Sequence, residues 1–236
     1  MNLIKQNWTQ EDGQEFVKYL ESLGNPSKVA WAKNILKTNL NLLVVPTKEI
    51  NRISKEIAMG NFYSFLDLQL FVNYETIALF GILTCKIKNF DVMERYLKVY
   101  LDIMENWAHC DLLTLDINES NIEKYKALSQ CHYNDEKVFK RRFSLLIYLI
   151  ILKDLDCVEE IFCVLKKFEN EKEYYVIMMA GWLLSECIIK HREKTLSYLK
   201  NVNLNKKIVN KAIQKCRESL RQTKEEKDEL LTFKIK

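Results

Sequence analysis

Apolar residues recur along this chain at intervals of three and four, and no segment alternates with period two, so the pattern predicts helices throughout. Thr9 reads as the N-cap of the first, with Glu11 and Asp12 in its first turn and Phe16, Val17, Tyr19, Leu20 and Leu23 as its buried stripe. Gly24 stops it. Asn25-Pro26 restarts the chain, with Asn as cap and Pro at the first helical position, ahead of Val29, Trp31, Ala32, Ile35 and Leu36. The apolar residues 40–45 end at Pro46, and Thr47 is the expected cap of a third helix through Ile50, Ile53 and Ile57. After the Gly60-Asn61 break, a short helix starts at Phe62, Asn73 opens the next and Asp91 the one after. The remaining expected helices run near 122–128, 138–152 (capped by Asn134 or Asp135), and onward from Val158 (capped by Asp154 or Asp156). Others run from Tyr174 to Lys190 (capped by Asn170), near 194–199, and from 205 to 220. The run after Thr223 reads as a solvated charge tail.

Helices of this length, paired about every 35 to 45 residues, predict an all-α helical-repeat solenoid, although no sequence template is shared between the repeats. A plain helical bundle is the alternative. The expected organisation is one repeat domain over residues 1–222 and a charged tail over 223–236. Five Gly and two Pro in 236 residues are too few for the many turns of an all-β chain. With 48% hydrophobic and 29% charged residues, the chain is globular rather than disordered. The N-terminal residues carry no signal-peptide core, and the longest apolar run, 143–152, is too short to span a bilayer. A cytoplasmic protein with no membrane partner is expected, and a monomer is the default. The seven cysteines are odd in number and never spaced Cys-x-x-Cys, which points to reduced, buried thiols. His109-Cys110 and Cys131-His132 lack companions at ligand spacing, so neither metal nor cofactor is expected.

Candidate chemistry centres on Trp107-Ala108-His109-Cys110-Asp111. Trp107 and Asp111 are four residues apart, one helical turn on a common face, where an indole face and a carboxylate both attract a flat cation. A core aromatic beside a capping or solvated acid has the same spacing. Arg141 and Arg142 stand at the start of an otherwise apolar helix, so the Arg142 guanidinium either reaches a surface or anion or pairs with a neighbouring acid. Trp182, amid Met178, Met179 and Leu183, reads as core by default, and Gly181 beside it permits close backbone approach. Lys207, Lys211 and Lys215 lie at spacing four opposite an apolar stripe, either a solvated face or a phosphate-facing strip. Net charge is only +4. In a solenoid these recurring positions, with Trp31 as a fourth, would line a concave basic face.

The chain resembles the AlkD family of DNA alkylation-repair glycosylases, which are HEAT-like repeat proteins. The resemblance runs from about Trp31 to Arg217. It rests on Trp31-Ala32-Lys33, Val44-Val45-Pro46, residues 73–79, Trp107 to Asp111, Arg142 and Gly181-Trp182, in that order. It implies functional roles for Asp111, Arg142, Trp107 and Trp182. Trp31 stands where the family commonly has Tyr, Ser185 where it has Arg, and His109 and Cys110 are atypical of their positions.

The implied activity is excision of positively charged alkylated purines, such as 3-methyladenine and 7-methylguanine, from double-stranded DNA. Such a base is already a good leaving group. A carboxylate, Asp111, would stabilise the oxocarbenium-like sugar and activate water. Trp107 and Trp182 would hold the deoxyribose and nearby backbone, and Arg142 a phosphate, with Trp31, Arg141 and the three lysines as further DNA contacts. The resemblance further implies that the damaged base need not be flipped into a deep pocket. Two rivals are a non-catalytic repeat protein that binds bent or branched DNA and a protein-binding HEAT scaffold.

Overall fold

In the computed structural model, which describes residues 1–235, the chain is all-helical, with no strand among the described residues. No helix is long and apolar enough to cross a membrane. The chain divides into two compact units, an N-terminal one, Met1–Asp116, and a C-terminal one, Ile117–Lys236.

The N-terminal unit contains α1 (Gln10–Ser22), a 3-10 turn (Pro26–Lys28), α2 (Val29–Leu36), α3 (Thr47–Ala58), α4 (Phe62–Asp67), α5 (Tyr74–Thr84), α6 (Phe90–Ile103) and α7 (Trp107–Asp111). Thr9 and Asn73 cap α1 and α5 as expected, and each closes a capping box. Three other starts differ. Pro46, not Thr47, is the N-cap of α3, and Thr47 is its first helical residue. Asn89, not Asp91, caps α6, accepting a bond from the Val92 N–H, which leaves Asp91 in the first turn near the positive end of the dipole. Asn25 makes no side-chain cap; its Oδ1 accepts from the Ser27 hydroxyl instead. One end of the unit is an edge-to-face cluster of Trp8, Phe16 and Phe65, with Trp8–Phe65 and Phe16–Phe65 centroids 4.9 and 5.1 Å apart. At the other end α5 and α6 meet at Gly81. A Cβ there would lie 2.5 Å from the Tyr100 ring, so only glycine lets that fully buried ring cross α5.

The C-terminal unit contains α8 (Ile122–Gln130), α9 (Val138–Asp154), α10 (Val158–Lys167), α11 (Tyr174–Lys190), α12 (Arg192–Asn201), α13 (Lys206–Glu218), α14 (Lys224–Leu230) and a 3-10 turn (Leu231–Phe233). The backbone N–H groups ahead of α9, α10 and α11 are taken by Asp135, Asp156 and Glu171; Asn170 does not cap α11. α11 is packed between α9 and α13, while α10 and α12 meet each other through Phe162 stacked on Tyr198 at 4.0 Å. This layering of alternate helices is what a helical-pair architecture requires. Gly181 sets the α11–α13 approach: a Cβ there would lie 2.6 Å from Lys211 Cγ. Among the described residues the run after Thr223 is exposed or half-buried apart from Leu230, but it is helical rather than irregular. Thr223 closes a capping box on α14, and Leu230 at the end of that helix is fully buried. Seven charged or polar residues around one buried leucine explain why the pattern looked solvated.

Cys110, Cys157, Cys187 and Cys216 are buried, but Cys131 and Cys163 are exposed, against the expectation of burial throughout. Burial pushes the Cys157 and Cys216 thiols up to about 11 and about 12, so neither is a thiolate at neutral pH.

Candidate functional site

α7 is only five residues long, too short to stand without outside support. Asn106 caps it, its Oδ1 accepting from the His109 N–H at 3.0 Å. That bond fixes the amide orientation, so Asn106 Nδ2 donates to His109 Nδ1 at 3.1 Å. The opposite ring nitrogen, Nε2, faces the Tyr74 carbonyl at 3.1 Å and must carry the proton. His109 is thus a neutral imidazole with both nitrogens satisfied. Burial drives its pKa down to about 4, against the smaller upward pull of the Tyr74 carbonyl. Its ring stacks on Tyr74 at 4.3 Å, and the Tyr100 hydroxyl donates to its carbonyl at 2.7 Å. His109 and Cys110 form the buried side of α7, which leaves Trp107 and Asp111 half-exposed on the other.

Trp107 reaches across to α2, where its Nε1–H donates to the Ile35 carbonyl at 3.4 Å. Trp31, one turn earlier on α2, is 64% exposed, far from the core. The Thr38 hydroxyl donates to Glu105 just ahead of α7, a second tie between the same segments. The segment linking α2 to α3 is itself held by Glu75, a residue given no role from sequence. Its carboxylate is 3% exposed and accepts the backbone N–H groups of Leu43, Val44 and Val45 at 3.1, 2.6 and 3.3 Å. Val44 takes a left-handed φ of 58°, a strained choice for a β-branched residue that these bonds secure. The available signal was one acid inside the otherwise apolar stretch of α5.

The other candidates lie in the C-terminal unit. Arg142, in the second turn of α9, is 5% exposed, and its Nη1 donates to the Tyr175 carbonyl at 2.6 Å, tying α9 to α11. Arg141 spends Nε and Nη2 on Glu171 at 2.8 and 3.3 Å and Nη1 on the Asp135 and Glu136 carbonyls. Burial alone would raise the Glu171 carboxyl, but Arg141 and the N–H groups of Glu173 and Lys172 outweigh it and hold it below its ordinary range. Trp182 is 37% exposed rather than core. It borders a cavity of about 360 Å³ with Leu149, Leu152, Lys190 and the bidentate Glu186–Arg221 pair. Ser185 is buried, its hydroxyl donating to the Trp182 carbonyl at 2.7 Å. Lys207 and Lys211 line a larger cavity; Lys215 is outside its lining.

Residues 16–223 match the family described as DNA alkylation repair enzyme. The chain belongs to that family. Neither the curated proteins nor the solved structures compared with it include a match. The match takes in both units, so the α7 residues and those of α9, α11 and α13 all lie within the DNA alkylation repair segment. Among the described residues no three His, Cys, Asp or Glu side chains are grouped to hold a metal ion.

Proposed function

We propose that this member of the DNA alkylation repair enzyme family is a DNA glycosylase acting on cationic alkylpurines such as 3-methyladenine and 7-methylguanine in double-stranded DNA. The observation that carries the reading is the α7 arrangement. A half-exposed carboxylate and a half-exposed indole share one face of a helix whose other face is locked by buried hydrogen bonds. Preorganised negative charge is what an oxocarbenium-like transition state needs, because it costs no reorganisation as charge develops on the sugar. Asp111 supplies that charge and orients the attacking water. Trp107 offers a ring face to the sugar, Trp182 offers another to the DNA backbone, and Arg142 is the phosphate-pairing candidate. Trp31, Lys207, Lys211 and Lys215 add DNA contacts, while Arg141 braces the start of α9 through Glu171. The HEAT-like repeat reading draws support from the alternating helix layers of the C-terminal unit.

The test is single-turnover release of 7-methylguanine from a duplex carrying one such lesion, with Asp111→Asn alongside. Release by the wild type and none by the variant, at similar DNA affinity, is expected. A variant that loses binding as fully as release would make Asp111 structural. A second reading, a non-catalytic binder of bent or branched DNA, is favoured by Ser185, a neutral buried residue where the resembling family carries a cation. Salt-sensitive binding without release by either protein would select it.

A further inference from the structure

A cavity of about 780 Å³ in the C-terminal unit lies over the start of α11, one face of α13 and the final 3-10 turn. Its lining carries six cations, Lys172, Lys206, Lys207, Lys211, Arg217 and Lys234, against one acid, Glu218, which accepts from Gln214 Nε2 at 2.8 Å. Four guanidinium groups elsewhere, those of Arg52, Arg141, Arg192 and Arg221, each pair with a carboxylate. Among the described residues none of the six groove cations forms an ion pair, and Lys211 Nζ bonds only the Gln214 side chain at 2.8 Å. Lys206 and Lys207 also occupy the first turn of α13, where the helix dipole disfavours positive charge. Uncompensated charge of this density is a cost to the folded chain, which a polyanion would relieve.

The floor is of another character. Half-buried Met178 and exposed Leu231 form it over the buried Ile177 and Ile213, and Tyr174 lines the same cavity, 61% exposed. An intact duplex would meet the cations with its phosphates but leave the apolar floor and the tyrosine ring uncovered, since its bases are stacked inside. Unpaired nucleotides present both chemistries together, phosphates for the rim and base faces for the ring and floor. We infer that this groove binds an unpaired stretch of one DNA strand, with phosphates on its six cations and a base stacked on Tyr174. The inference rests on the reading that the chain works on DNA, and adds to it a preference for locally unpaired substrate.

The experiment is fluorescence anisotropy of the full chain with two labelled oligonucleotides at equal salt, a fully paired duplex and the same duplex carrying a three-nucleotide bulge. The wild type is expected to bind the bulged form about tenfold more tightly, in line with one well-stacked base. Tyr174→Ala should remove most of that preference while leaving paired-duplex affinity unchanged. Lys172→Ala with Lys234→Ala should narrow it as well. Equal affinity for the two forms, or a preference untouched by all three substitutions, would overturn the groove assignment while leaving the glycosylase reading standing. Displacement of the bulged duplex by polyglutamate as readily as by an unlabelled single strand would also overturn it, in favour of an acidic protein partner. Failure to bind either oligonucleotide would remove the DNA reading itself.

Discussion

The α7 region of the N-terminal unit and the α11–α13 face of the C-terminal unit hold the side chains proposed here for function in opposite ways. Around α7 almost every polar group has a specific buried partner, from Asn106 and His109 through Tyr74 and Tyr100 to Glu75 and its three backbone amides. Over α13 the lysines are exposed or half-buried, repeated, and without an ion pair among the described residues. The first arrangement holds a few atoms to a fraction of an ångström, as bond-breaking chemistry demands. The second tolerates many poses and sums over several weak contacts, as phosphate binding demands. Single substitutions should therefore be decisive around α7 and incremental over α13.

The largest effect is expected at Asp111. Asp111→Asn should lower single-turnover release by about a thousandfold or more, the scale of losing a preorganised electrostatic group, with DNA affinity similar or slightly higher. Next is Glu75→Ala, which strips three buried amides of their acceptor. It should cost on the order of 3 kcal/mol by urea titration and slow release as the α2–α3 segment loosens against α7. A milder loss in Glu75→Gln, which keeps an acceptor oxygen, would confirm that the amides are what matter.

His109 makes a comparable effect visible through pH. Its folded-state pKa, about 4, lies below the ordinary 6.5, so the unfolded chain binds more protons between those values. Its contribution is therefore full above pH 6.5 and lost as pH falls towards 4, to a total on the order of 3 kcal/mol. His109→Gln should flatten that slope in denaturant titrations across pH 4 to 6.5. An unchanged slope would break the contrast by showing that α7 does not rest on a neutral imidazole.

The smallest effects belong to α13. Lys207→Ala and Lys215→Ala should each reduce the slope of log K against log salt by roughly 0.9 and weaken DNA binding only a few-fold. Lys211 is unsuited to this test because its aliphatic stem packs against Gly181. A hundredfold loss from either lysine alone would put α13 in the same class as α7.

Much of the helical plan was legible because it is local. The span Tyr174–Lys190, the caps at Thr9 and Asn73, and the glycine beside Trp182 all follow from patterns within one or two turns. The cap of α6 fell on Asn89 rather than Asp91 because two good capping side chains stood two residues apart and sequence alone does not rank them. The helical α14 escaped notice because one buried leucine leaves no periodic signal. Glu75 was passed over for a related reason: an acid in an apolar stretch signals burial, but the amides that donate to it lie about thirty residues away.

The sequence by itself determined that this chain is helical, where most helices begin and end, and that Trp107 and Asp111 share a face, since these depend on spacing and backbone chemistry within a turn. The tertiary structure alone decided that His109 is a buried neutral brace and that Trp182 is exposed. It also decided that Arg141 is spent on Glu171 while the cations of α13 stay unmatched. Burial and pairing are properties of neighbours distant in the chain, and no periodicity encodes which of them will meet.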